Sequence, residues 1–112
     1  MNDSRLYSFI GLMQKAGKIS SGDDAVEIDI KKRKAELVII ATDASENTKK
    51  KFINMCEYRK IEYVLFGQKD NLGQAIGKSA RSVIAVKDKN FAAGFKQKLS
   101  EQKSGGEVFG NS

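Results

Sequence analysis

Apolar residues return every three to four positions at the start of the chain, where Leu6, Phe9, Ile10, Met13 and Ala16 share one helical stripe. Asp3 or Ser4 stands where a helix cap is expected, and Gly17 stands where such a helix ends. A short extended piece around Ile19 follows. The spacing then predicts a second helix from about Gly22 to Lys34, with Val26 and Ile30 inward. Its last turn is basic, through Lys31, Lys32, Arg33 and Lys34, which suits the negative end of a helix dipole. Leu37, Val38, Ile39, Ile40 and Ala41 form a continuous apolar run too short for a helix. That is the pattern of a central strand covered on both faces.

Asp43 or Ser45 is placed to cap a third helix ending near Arg59, and Ile61 to Phe66 reads as another strand closed by Gly67. Asp70 opens a short fourth helix holding Leu72, Ala75 and Ile76, which Gly77 ends. Val83 to Val86 supplies a further strand, and Asn90 is the expected cap of a last helix with Phe91, Phe95 and Leu99 spaced by four. Helices alternating with four short strands predict an α/β fold, a three-layer α/β/α sandwich around a small mixed four-stranded sheet. Residues 1–103 are expected to form one domain, and the glycine-rich stretch 104–112, which has no periodicity, a mobile tail.

Composition narrows the chemistry. A chain of 112 residues buries enough surface for a core without disulfides or a structural metal. The single cysteine, Cys56, shares a helical stripe with Thr48, Phe52 and Met55, so a buried apolar role is expected of it. Histidine is absent, which removes the usual base of a Ser or Cys triad, and no catalytic residue, cofactor or metal site is expected. No run approaches the length of a membrane span, and MNDSRLYSF has no apolar signal core, so a cytoplasmic protein without a membrane partner is expected. The net charge of +6 favours a polyanionic partner.

Four stretches are candidates for function. GQAIGKSARS, residues 73–82, contains Gly-Lys-Ser, yet only three residues separate Gly73 from Gly77 and a strand follows rather than precedes it. It reads as a helix end with a basic loop, not as a phosphate-binding P-loop. Asp23 and Asp24, with Glu27 a turn later, complement a helix start, and neighbouring helical residues point about 100° apart, so the two aspartates do not aim at one atom. Lys49, Lys50 and Lys51 spread around most of a helix circumference as solvated surface. Asp24, Ile28, Lys31 and Lys32 fall instead within a sector about 100° wide opposite Val26 and Ile30, placing an exposed isoleucine among charges.

Taken in order, GKISSG, the helix after it, AELVIIATDASENTKKK and LGQAIGKSARSVIAV resemble the ribosomal proteins L-seven-Ae and L-thirty-e and their small bacterial YlxQ-like relatives. The resemblance runs from about Leu6 to Leu99. It implies a non-enzymatic, cytoplasmic RNA-binding protein of translation, taking a kink-turn or related internal loop in a ribosome or other ribonucleoprotein. It is expected as a monomer, with ribosome-associated proteins as further partners. By the same resemblance the contact surface would be Ser20, Ser21, Gly22 and Asp24, the helix face of Ile28, Lys31 and Lys32, and the loop of Gly77, Lys78, Ser79 and Arg81. Gly22 would admit a phosphate or base edge to the helix start, while Lys18, Lys31, Lys32, Lys78 and Arg81 would neutralise a bent backbone.

The sequence departs from that pattern at three positions. Where the best-known kink-turn binders carry Asn-Glu followed by a lysine, this chain has Asp24, Ala25 and Ile28. Ionised Asp24 accepts but does not donate, Ala25 offers no side-chain hydrogen bond and Ile28 no charge. A protein-interaction adaptor that uses the same surface is therefore the alternative reading. A small hydrolase resting on the acidic helix start is a distant third.

Overall fold

The computed structural model describes residues 3–111, with side chains for residues 3–102. Its elements are α1 (Asp3–Lys15), β1 (Ile19–Ser21), α2 (Asp23–Lys31), β2 (Leu37–Ile40), α3 (Glu46–Arg59), β3 (Glu62–Leu65), α4 (Lys69–Ala75), β4 (Val83–Val86) and α5 (Lys89–Asn111). The tail expected from residue 104 onward lies outside the residues described with side chains.

The strands form one mixed sheet in the order β1-β4-β2-β3. β2 pairs parallel to β3, while β4 runs antiparallel to both its neighbours, from Leu37↔Val86 to Ile40↔Val83 and from Ile19↔Val86 to Ser21↔Ile84. Strands β1, β2 and β3 therefore all point the same way. Helices α1, α4 and α5 pack together over one face and α2 and α3 over the other, giving the expected three-layer α/β/α sandwich.

Burial follows position in the sheet. Every residue of the two inner strands, Leu37–Ile40 and Val83–Val86, is fully buried, because successive side chains enter opposite helical layers. The outer strands β1 and β3 are only partly covered. Around the sheet, Phe66 packs at a tilt against Tyr7 at 5.2 Å and edge-to-face against Phe95 at 5.4 Å, fastening the end of β3 to α1 and α5. Cys56 is completely enclosed, and burial pushes its thiol up to about 11, so it packs as a small apolar group.

Each same-direction strand leads directly into a helix, so α2, α3 and α4 all start along one edge of the sheet. The opposite edge gathers the ends of α1, α2 and α3 and the start of α5. We call these the starting edge and the closing edge.

Two boundaries differ from the sequence expectation, and a third is capped by one of the two residues expected. Helix α2 stops at Lys31, not near Lys34, because Arg33 turns left-handed (φ 58°) and its amide and that of Lys34 bond back to Ile30 and Asp29. Asp88 caps α5 in place of Asn90, its Oδ1 accepting from the Phe91 amide at 2.8 Å. Ser45 caps α3 through the Thr48 amide, which frees Asp43 to accept from the Lys69 amide at 2.9 Å and cap α4 from a distant loop. Among the described residues no helix is long and apolar enough to cross a membrane.

Candidate nucleic-acid interface

Gly22 joins β1 to α2 with φ 92° and ψ 155°, a conformation nearly reserved for glycine. Its amide donates to the Val83 carbonyl at 3.1 Å and its carbonyl accepts from Val26 at 3.0 Å, so the turn is held from both sides. A Cβ added at Gly22 would meet nothing within 4 Å. The glycine is therefore required by backbone conformation, and the space in front of it is open. Ser45 and Asp43 cap the other two helices of this edge, whereas among the described residues no side-chain cap bond forms at α2. Its first-turn amides face outward at the positive end of the helix dipole.

The loop after α4 is folded back onto that helix. Its turn is closed by the Lys78 amide on the Gly73 carbonyl at 2.8 Å, and its far end by the Arg81 amide on the Lys69 carbonyl at 3.0 Å. Gly73 makes the close approach possible, since a Cβ there would lie 2.0 Å from the Ser79 carbonyl oxygen. Arg81 then connects loop and sheet. Its Nε donates to Ser21 Oγ at 3.1 Å, and its Nη1 donates to Ser79 Oγ at 3.0 Å and to the Ser79 and Ala80 carbonyls at 3.2 Å.

The residues singled out in the sequence divide between the two edges. Ser21, Gly22, Asp24, Ser79 and Arg81 come together on the starting edge, with exposed Lys78 on the same loop and Gly77, left-handed at φ 72°, setting that loop's turn. Ser20 Oγ is enclosed and has no hydrogen-bond partner among the described residues. Ile28 stands half exposed (50%) on the outer face of α2. Lys18 lies before β1 on the closing edge, its carbonyl accepting from the Lys87 amide, so a strand length separates it from Gly22. Lys31 and Lys32 sit at the far end of α2, about 13 Å along the helix from its start.

The three carboxylates of the acidic helix start do not work as a group. Glu27 is held between Lys51 at 2.8 Å and Lys31 at 2.9 Å. Hydrogen bonds from Lys51 first and Lys31 second pull its carboxyl down to about 2, which makes it a very poor proton acceptor at neutral pH. The hydrogen bond to Glu27 raises the Lys51 ammonium, with smaller contributions from Asp23 and Asp24, which remain exposed. Among the described residues, no cluster of three or more His, Cys, Asp or Glu side chains is placed to hold a metal ion.

Two parts of this arrangement escaped the sequence reading. In the sequence Gly73 stands out only as half of a near-miss P-loop, although a glycine inside a helical pattern is itself a signal of close backbone approach. Arg81, expected from the sequence to neutralise phosphate, is in addition an internal tie between Ser21 and Ser79.

With this fold and edge established, the chain is placed in the Ribosomal protein L7Ae/L30e/S12e/Gadd45 family, whose model matches residues 4–95; the chain belongs to that family. Among relatives, it is 40% identical to the RNA-binding protein YlxQ of Bacillus subtilis over 92 residues, covering 82% of this chain and 92% of that one. It is 31% identical to the large ribosomal subunit protein eL8 of Picrophilus torridus over 75 residues, 66% of this chain and 59% of that one. Among solved structures, it is similar to a Bacillus halodurans protein of unknown function (TM-score 0.82, 33% identity, 86% of this chain and 97% of that one). It is also similar to the Giardia lamblia 15.5kD RNA binding protein (TM-score 0.73, 26% identity, 88% and 87%).

Proposed function

We propose that this protein is a non-enzymatic, cytoplasmic RNA-binding protein, acting as a monomer in a ribosome or other ribonucleoprotein, and that it takes a kink-turn or related internal loop on its starting edge. The observation that carries this reading is the Arg81 tie, which holds Ser21, beside the uncapped start of α2, against Ser79 in the Gly77–Arg81 loop. Family membership and the RNA-binding relatives support it. In this reading the outward amides of α2 meet a phosphate or base edge, with Gly22 leaving room for close approach. Lys78 supplies an exposed cation, and Arg81 positions the surface. Asp24 accepts from a base amino group, while Ile28 makes an apolar contact in place of a charged one.

A salt series of binding to a kink-turn RNA tests the reading. Affinity falls steeply between about 50 and 200 mM salt if phosphates are neutralised. Absent or salt-independent binding to structured RNA rejects it. The half-exposed Ile28 favours one rival, a protein-docking adaptor. If wild type binds RNA poorly and Ile28→Lys restores binding, the adaptor reading replaces this one.

A further inference from the structure

The four helix ends that carry the same backbone closure are not filled by the same kind of residue. At each, the left-handed residue bonds back three positions and the next amide five, as in Gly17 to Gln14 with Lys18 to Met13, and Gly77 to Gln74 with Lys78 to Gly73. Helices α1 and α4 place Gly17 (φ 70°) and Gly77 (φ 72°) there, as the geometry prefers. Helices α2 and α3 place Arg33 (φ 58°) and Lys60 (φ 60°) in the same strained position. Those two ends lie side by side, with Arg33 Nη1 donating to the Arg59 carbonyl at 3.4 Å.

The dipole explains cations at helix ends in general. It does not explain why both departures from glycine are basic and adjacent, nor what stands beside them. Tyr58 is 82% exposed, more than any other large apolar or aromatic side chain described, and the Arg59 guanidinium lies 5.3 Å from its ring centre. Arg33, Lys34 and Lys60 are exposed at the two adjoining helix ends, with no acidic partner among the described residues. Of the acids on the same elements, Glu57 accepts from the Tyr63 hydroxyl at 3.1 Å and Glu62 pairs with Lys96.

We propose that Tyr58, Arg59, Arg33, Lys34 and Lys60 form a second RNA-contact surface on the closing edge, one that takes a single-stranded segment by stacking a base on Tyr58 and neutralising its flanking phosphates. An exposed ring beside one guanidinium, with further cations on the adjoining helix ends, is the combination that single-stranded nucleic acid uses: stacking is indifferent to sequence, and the cations follow the backbone. The surface is separate from the starting edge and does not depend on how that edge reads RNA. The protein can then hold a structured element at one end and an adjoining single strand at the other.

Binding of the full chain to a fluorescein-labelled oligouridylate of about 12 nucleotides, followed by anisotropy, tests this. Arg33→Gly with Lys60→Gly removes two charges while giving both turns the residue they prefer, so lost binding is not a folding defect. Affinity falls on the order of tenfold at ~0.1 M salt, and the slope of log K against log salt becomes shallower by about 1.4. Tyr58→Ala weakens binding by at least about fivefold, and Tyr58→Phe leaves it intact. Unchanged affinity and slope in the glycine pair, or a Tyr58→Ala variant equal to wild type, overturns the proposal. Protein saturated with kink-turn RNA still takes up the oligonucleotide; full displacement overturns the second surface. If the kink-turn RNA fails to bind, the starting-edge reading fails while the oligonucleotide variants still decide this one.

Discussion

The two edges of the sheet divide between them what RNA recognition needs. The starting edge has shape: an uncapped helix, a glycine at φ 92°, and a loop pinned to it by Arg81. Its charge is poor, because helix starts attract acids, here Asp23, Asp24, Glu46 and Asp70. The closing edge has charge, because helix ends attract bases, with Lys15, Lys31 and Arg59 in last turns and Arg33 and Lys60 just beyond. Three helices pointing one way have sorted the side chains by sign. A net charge of +6 therefore predicts a polyanionic partner without saying which surface meets it.

The comparison can be broken from the starting edge first, where the largest effect is expected. Gly73→Ala drives a methyl group into the Ser79 carbonyl, so the loop must leave α4, at a loss of about 3 kcal/mol in urea unfolding. Amide exchange at Lys78 and Arg81 should rise, since both amides bond back to α4. Gly22→Ala meets no steric neighbour, so its expected loss of about 2 kcal/mol comes from the backbone conformation alone. RNA affinity should fall with it. A normal denaturation midpoint in either variant would show that the edge is less constrained than described.

The closing edge responds in the opposite direction. Lys60→Gly relieves the left-handed turn and should raise stability by about 0.5 kcal/mol, part of the relief being offset by the entropy glycine adds to the unfolded chain. The smallest effect is expected between the edges, at Glu27. Its folded carboxyl sits near 2 against an ordinary 4.5, so its contribution to stability is complete above about pH 4.5 and disappears as pH falls toward 2. The difference in urea midpoint between wild type and Glu27→Gln should therefore be constant from neutral pH to about pH 5 and close near pH 2. A gap that persists at pH 2 would mean that Glu27 acts by packing.

How much of this was legible depended on whether the signal was local. The apolar run Leu37–Ile40 announced a buried strand, and Gly17 and Gly77 announced helix ends, because each pattern is contained within a few residues. Arg33 and Lys60 end helices without the usual glycine, so the sequence pattern places the end of α2 three residues too late. Of the caps expected, Ser45 serves α3, Asp88 stands in for Asn90, and Asp43 serves a different helix because its partner amide is contributed by a distant turn. The site followed the same rule. The Gly22 helix start was visible in KISSGDD, whereas the tie from Arg81 to Ser21 spans sixty positions and is created only by strand β4 lying beside β1. Lys18 and Gly22 are four residues apart in sequence, yet a strand carries them to opposite edges.

Hydrogen exchange of the full chain with and without a kink-turn RNA measures the central claim most directly. We expect new protection at the Asp23–Ala25 amides and across Lys78–Arg81, the two segments that meet at the starting edge. Binding that leaves those amides exchanging as in the free protein would contradict the account.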